Sequence, residues 1–176
     1  DTTGAGVVLT NEPDWPEGPV PWGITIRGNR FLRGGTCLGY ADWTHGAALS
    51  VRAVRLGHGL ADDEAIRNVI IENNEFQDRA GTALFVGGAH NVSVSHNQIR
   101  AAAVAELRCK GPAILIERSS RVTLTGNTVA DPRPGTTAAI EIGPNVAPTD
   151  DGVRISDLEA RLDSQSRAVI DRRADP

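Results

Sequence analysis

One eight-residue phrase recurs five times along this chain, starting at Ile24, Val69, Val92, Val122 and Val153. Its template is apolar, any, apolar, any, any, Asn, any, apolar, with Asn29, Asn74, Asn97 and Asn127 in the polar slot and Leu158 replacing Asn in the last copy. A second short alternating segment lies between the phrases, at Val7–Leu9, Leu49–Val51, Leu84–Val86, Ile114–Ile116, Ile140–Ile142 and Ala168–Ile170. Alternation with period two over such short runs specifies half-buried strands rather than helices. Self-similarity at an irregular period of a few tens of residues specifies a stacked repeat with insertions. An antiparallel sandwich accounts for the alternation, but not for an asparagine that recurs two residues before an apolar position.

A parallel coil of strands accounts for both. Equivalent residues of successive turns lie about 4.8 Å apart and form continuous files. Phe31, Phe76, Ile99 and Val129 then form one interior file, and Ile26, Ile71, Val94, Leu124 and Ile155 another. The four asparagines fall at one corner, where their amides satisfy each other and the turn backbone. Leu158 marks the turn at which that ladder stops.

Composition narrows the function classes. The 176 residues carry 18 Lys+Arg against 22 Asp+Glu, a formal charge of −4, with no basic cluster. That balance argues against nucleic acid or an anionic membrane surface as partner. No apolar run approaches the roughly 20 residues of a membrane span, so no membrane insertion is expected. No basic, apolar leader opens the sequence, which starts at Asp1 and contains no Met; this suggests processing or excision from something longer. Two cysteines, Cys37 and Cys109, leave open a loop-to-loop bridge or two free thiols. Asn91-Val92-Ser93 satisfies the glycosylation sequon, a tripeptide common by chance.

The Val-x-Ile-x-x-Asn-x-Phe phrases and the Ala-Ile-x-Ile segments resemble the right-handed parallel β-helix superfamily, typified by pectate lyases and polygalacturonases, from residue 5 to about 171. A looser likeness is to β-helix glycoside hydrolases of the α-1,3-galactosidase type. The resemblance implies an all-β fold, a single right-handed parallel β-helix of about five to six turns with an Asn ladder. It implies three strands per turn, the Asn corner following the second. On this reading residues 1–176 are one domain, the C-terminal part or a fragment of a longer coil, with another domain or subunit covering a coil end. Insertions fall at 32–47, 100–112, 130–138 and 161–167 and at 10–23, 52–68 and 143–152, flanking the outer face of the first strand. In the superfamily that face is the usual floor of the polysaccharide cleft.

Alternation puts Ser50, Phe85, Leu115, Glu141 and Val169 on that face, with Thr10, Arg52, Gly87, Glu117, Gly143 and Asp171 in the next outward file and a file of alanines beside them. The small, apolar character of this face implies a cover of loops, another domain, or a sugar. Glu117 and Glu141 become diagonal neighbours, at a separation that suits the general acid and base of an inverting glycosidase; the competing reading is two solvated glutamates. The loop around Tyr40, Asp42, Trp43 and His45 adds an acid, a histidine and flat sugar-binding faces, although Trp43 also suits pinning its own loop. Trp15 and Trp22 read as loop anchors, and His45, His58 and His90 as loop histidines without metal-binding spacing. Residues 101–110 read as a short helical turn turning Glu106, Arg108 and Lys110 toward the same wall, where the cations suit an anionic sugar. Asp62, Asp63 and Glu64 form the densest acidic run and read as a solvated loop rather than a calcium site.

The expected function is therefore a carbohydrate-active protein, a glycoside hydrolase with Glu117, Glu141, Asp42 and His45 as catalytic candidates and Trp43, Tyr40, Arg52 and Arg108 as substrate ligands. No cofactor and no metal are expected, and the location is extracellular or periplasmic. The alternatives are a non-catalytic polysaccharide-binding or structural segment and a polysaccharide lyase.

Overall fold

The computed structural model describes residues 5–11, 19–35, 47–55, 59–61, 65–146 and 152–173. Sixteen strands and no helix occur among them. The first turn of the coil is β1 (Val7–Thr10), β2 (Trp22–Arg27) and β3 (Arg30–Leu32). The second is β4 (Leu49–Arg52), β5 (Ile66–Glu72) and β6 (Glu75–Gln77), and the third β7 (Leu84–Gly87), β8 (Ala89–Ser95) and β9 (Gln98–Arg100). Then follow β10 (Ile114–Glu117), β11 (Ser120–Thr125) and β12 (Thr128–Asp131), then β13 (Ala138–Ile142), β14 (Val153–Ser156) and β15 (Glu159–Leu162). The strand β16 (Arg167–Asp171) opens a sixth turn.

Every third strand pairs in parallel, giving a six-stranded sheet β1-β4-β7-β10-β13-β16 and two five-stranded sheets, β2-β5-β8-β11-β14 and β3-β6-β9-β12-β15. This is a right-handed parallel β-helix. Its core is the space the three sheets enclose, filled by the inward-facing half of each strand. Phe31, Phe76, Ile99 and Val129 stack in register, the two rings with centroids 4.7 Å apart and planes 7° from parallel.

The corner between second and third sheets explains the asparagine signature. Each ladder Oδ1 accepts from the backbone N–H and the Nδ2 of the asparagine one turn earlier: Asn74 from Asn29, Asn97 from Asn74, and Asn127 from Asn97, all at 3.0–3.1 Å. The Nδ2 groups also donate to the Ile26, Ile71 and Val94 carbonyls. Immediately before each asparagine, and before Leu158, the chain turns through a left-handed residue, successively Gly28, Asn73, His96, Gly126 and Asp157. Those residue types bear positive φ most cheaply. At Leu158 the ladder ends and the side chain packs on the core instead.

Three expectations are corrected. The last first-sheet strand sits one residue out of the expected register: Val169 pairs with Ile140 and Ile170 with Glu141, so Val169 and Asp171 leave the outward files. The turn at 163–166 is anchored by Ser166 Oγ to the Thr136 carbonyl and Arg167 N–H to the Thr137 carbonyl, which fixes where β16 begins. No further described turn covers this strand, so hydrophobic alternation there specifies register weakly. Trp22 is no loop anchor; it lies on β2 and is 69% exposed. His90 lies within β8, its Nδ1 2.8 Å from Ser120 Oγ. Asn91, the sequon residue, is exposed at positive φ and donates to Asn68 Oδ1.

A charged cluster fills the corner between third and first sheets. Arg79, Asp131 and Arg133 are all buried. Arg133 holds Asp131 in a two-pronged contact at 2.7 Å from Nε and Nη2, and Arg79 Nη2 reaches Asp131 Oδ2 at 3.1 Å. Arg79 also donates to Thr136 Oγ1 and the Gly81 carbonyl, and Arg133 Nη1 to the Arg79 and Glu106 carbonyls. Burial lowers the Arg79 pKa to about 10, even with Asp131 beside it. Burial disfavours the Asp131 carboxylate, but the Arg133 hydrogen bonds and both guanidiniums outweigh it and hold its pKa below the ordinary value.

Candidate functional site

The parallel register gives the outer face of the first sheet one central file: Val8, Ser50, Phe85, Leu115, Glu141 and Ile170. Thr10, Arg52, Gly87 and Glu117 form the file beside it. Ser50 and Phe85 are fully buried, and Arg52 is 5% exposed, so little of that arginine remains for a ligand. Ala48, Ala83, Ala113 and Ala139 are buried as well.

The cover is a short hairpin between first and second strands. Val54 and Leu60 make an antiparallel bridge, and Ala61 N–H donates to the Ala53 carbonyl at 2.9 Å. Asn11 clamps it, donating from Nδ2 to the Val54 carbonyl at 2.8 Å and accepting Val54 N–H on Oδ1 at 2.7 Å. Leu60 reaches over Gly87, where an added Cβ would come within 3.0 Å of its Cδ2. Leu60 therefore covers the Gly87 end of this face, and the face is buried over the second and third turns. It opens again from the fourth turn, where Leu115, Glu117 and Glu141 are half-buried.

There Leu115 pairs with Glu141, and Glu117 lies two residues further along β10. Strand spacing and rise then put the two glutamate Cα atoms about 8 Å apart. Gly143 follows β13 beside Glu117, its N–H donating to the Ile116 carbonyl at 2.8 Å; a Cβ on it would stand 3.1 Å from Glu117 Cγ. The missing side chain leaves room for Glu117 to lie over the next turn. Ser119 Oγ donates to the Glu117 carbonyl and accepts Ala89 N–H, fixing the corner behind it.

The two carboxyls have different surroundings. Burial pushes the Glu117 pKa up, Arg118 opposes this, and Glu141 adds to it. Glu141, its side chain 17% exposed, meets Arg172 Nε at 2.7 Å. A carboxyl partly withdrawn from water beside one held in an ion pair is a difference of surroundings of the kind that separates general acid from base. Arg172 carried no signal in the sequence, because its position depends on the shifted register of β16.

Tyr40, Asp42, Trp43 and His45 lie outside the described residues, as do Trp15, His58 and the Asp62–Glu64 run. Cys109 is disulfide-bonded, and the sequence holds one other cysteine, Cys37. Arg108 is not where the sequence put it. Residues 101–110 form no helix but a single turn, Ala105 N–H to the Ala102 carbonyl, and they wall a groove on the third-sheet side. This groove of about 600 Å³ brings Arg108 and Glu106 together with Arg30, Arg33 and Asp78. Neither the groove nor the Arg79–Asp131–Arg133 cluster beneath that corner was legible as a motif. No group of three or more metal-ligating side chains occurs among the described residues, and no described helix is long and apolar enough to cross a membrane.

Comparison with known proteins bears on the coil itself. No curated protein and no solved structure gives a significant match. The family model described as a right-handed beta helix region matches residues 3–141, more than three quarters of the chain. Together with three all-parallel sheets and an unbroken asparagine ladder, this match establishes that the chain belongs to the right-handed β-helix family.

Proposed function

We propose that this β-helix protein is carbohydrate-active, a glycoside hydrolase that holds an oligo- or polysaccharide over the open stretch of the first sheet, at the fourth to sixth turns. Glu117 is the general acid and Glu141 the general base. The observation that carries the reading is the diagonal pair itself: two carboxyls on adjacent turns, one raised by burial and one ion-paired to Arg172. Cα atoms about 8 Å apart on the same face let the two side chains hold their carboxyls at the roughly 6.5–9.5 Å of inverting enzymes, which leaves room for a water between carboxylate and sugar. The disulfide at Cys109 supports an extracellular or periplasmic location, where such bonds persist.

Glu117→Gln and Glu141→Gln are each expected to keep the circular dichroism spectrum and to lower reducing-sugar release from a panel of oligosaccharides by about 100-fold or more. The first-formed product has inverted anomeric configuration by NMR. Activity requires Glu117 protonated, so the rate falls as pH rises through its raised value, and Glu117→Gln loses that limb. Unchanged turnover in both variants discards the assignment.

A second reading, binding without hydrolysis, draws on the hairpin cover: Ser50, Arg52 and Phe85 are closed off, which shortens any cleft to the later turns. Retention on a glycan array with no product release favours it. Products absorbing in the near ultraviolet would indicate a lyase instead.

A further inference from the structure

We infer that Ser120 and His90 form a catalytic dyad on the second sheet, separate from the glutamate pair, and that it hydrolyses esters of small acyl groups. The two residues stand opposite each other in the parallel register of β8 and β11, and Ser120 Oγ lies 2.8 Å from His90 Nδ1. That is the reach at which an imidazole takes the proton of an attacking hydroxyl. With the ring proton on Nε2, Nδ1 is the acceptor and Ser120 the donor.

The pair stands outside the coil's repeat. Its file continues to Arg67 and Trp22 on the earlier turns, so no rule of the fold calls for a serine and a histidine there, unlike the asparagine ladder with its four copies. The neighbouring serine shows what a structural hydroxyl does at this corner. Ser119 Oγ donates to the Glu117 carbonyl and accepts Ala89 N–H, so the backbone takes both of its roles. Ser120 offers its proton to a base instead.

The backbone around the two serines is an independent observation. Left-handed residues flank them, Arg118 at φ 43° and Arg121 at φ 50°. The earlier turns place Gly23, Asn68 and Asn91 at the position of Arg121, and Gly88 at that of Arg118. Those types bear positive φ cheaply. Arginine does not, and strain kept without that relief is characteristic of functional sites. Arg118 and Arg121, with Arg67 one turn before His90, also set positive charge around the dyad, the sign a developing oxyanion needs.

Burial selects the substrate. Ser120 is 8% exposed, whereas His90 is half-buried and Arg67 exposed; only a short acyl group comes within bonding distance of so enclosed a hydroxyl. Ser120 Oγ attacks the ester carbonyl carbon while its proton passes to His90 Nδ1. The ester C–O bond breaks and the alcohol leaves with that proton. Water, giving a proton to His90, then displaces the acyl group as the free acid, and His90 returns the proton to Ser120 Oγ.

The test is p-nitrophenyl acetate with the full chain, read as p-nitrophenolate release and by mass spectrometry of the acid-quenched protein. Release is expected to run at least about 100-fold faster than with free imidazole at equal concentration, and the acetyl group trapped on the protein to be on Ser120. Ser120→Ala and His90→Gln, whose amide still accepts the Ser120 hydroxyl, should keep the circular dichroism spectrum and each slow release about 100-fold or more. p-Nitrophenyl octanoate should react at least about tenfold more slowly than the acetate. Neither ester contains a glycosidic bond, so this site stands or falls apart from the hydrolase reading. Release no faster than imidazole gives, acetyl trapped only on another residue, or indifference to either variant overturns the dyad; equal rates with the octanoate overturn the restriction to small acyl groups.

Discussion

Replacing Asn97 by alanine isolates what the ladder contributes to stability. Asn97 is buried in the middle of it. Its Oδ1 accepts Asn74 N–H and Asn74 Nδ2, both at 3.0 Å, and its Nδ2 donates to the Ile71 carbonyl at 2.9 Å and to Asn127 Oδ1 at 3.0 Å. Alanine removes all four bonds, but their costs differ. Asn74 Nδ2 keeps the Ile26 carbonyl, and Asn127 Oδ1 keeps the Asn97 backbone N–H. The Asn74 N–H loses its side-chain acceptor inside a dry corner, a loss worth about 1–3 kcal/mol by itself. With the partly compensated bonds the total is about 2–4 kcal/mol. For a chain of this length that lowers Tm by roughly 5–15 °C. Asn29→Ala is the matched control, because Asn29 is exposed at the first turn and its Nδ2 makes only two bonds of 3.1 Å, to the Arg27 carbonyl and Asn74 Oδ1. It should cost about 0.5–1 kcal/mol. Urea unfolding followed by far-ultraviolet circular dichroism compares the two, with unchanged m-values confirming that compactness is the same. Equal destabilisation by the two variants would refute the claim that burial of the amide, rather than its presence, sets the energy.

Two further outcomes follow from the buried side chains. Asp131→Asn leaves Arg79 and Arg133 without a counter-charge and should cost about 3–5 kcal/mol. Because the folded Asp131 pKa is depressed, its stabilisation is complete above the unfolded value near 3.9 and drains away as pH falls through the folded one; in acid denaturation the variant should lose that dependence. Phe76→Ala should cost about 3–5 kcal/mol, measured by the same urea titration, and Phe31→Ala clearly less, since Phe31 at the first turn is only half-buried; equal losses would mean the ring stack, not burial, holds the file.

The coil was legible because its constraints repeat. An interior file tolerates only apolar side chains, and the dry corner accepts a polar one only if each amide finds its neighbour. Five copies of the first rule and four of the second made register readable from Ile24 through Ile155. Where a rule is enforced once, the sequence was silent. The last strand has no described turn upon it, so nothing in its alternation distinguished Val169 inward from Val169 outward. Arg79, Asp131 and Arg133 sit in corners of different lengths and meet only after the coil closes. Residues 101–110 read as a helical turn in the sequence, whereas Asp78 and the Ala80 carbonyl hold them in an irregular path.

The same contrast governs the candidate site. Ser50, Phe85, Leu115 and Glu141 occupy one file of one sheet, and strand geometry alone gives them equivalent surroundings. Yet the first two are sealed and the last two half-open, and Leu60, on a segment clamped by Asn11, lies over Gly87 in the neighbouring file. A carboxylate in the sealed part of the file would be buried without a solvent path. Beyond its far end the same residue type would be an ordinary solvated glutamate. Glu117 stands at the boundary, dry enough for burial to raise its pKa and open enough for a proton to enter or leave. On a β-helix the strands thus decide which side chains stand side by side, and the corner insertions decide which of those neighbours can do chemistry.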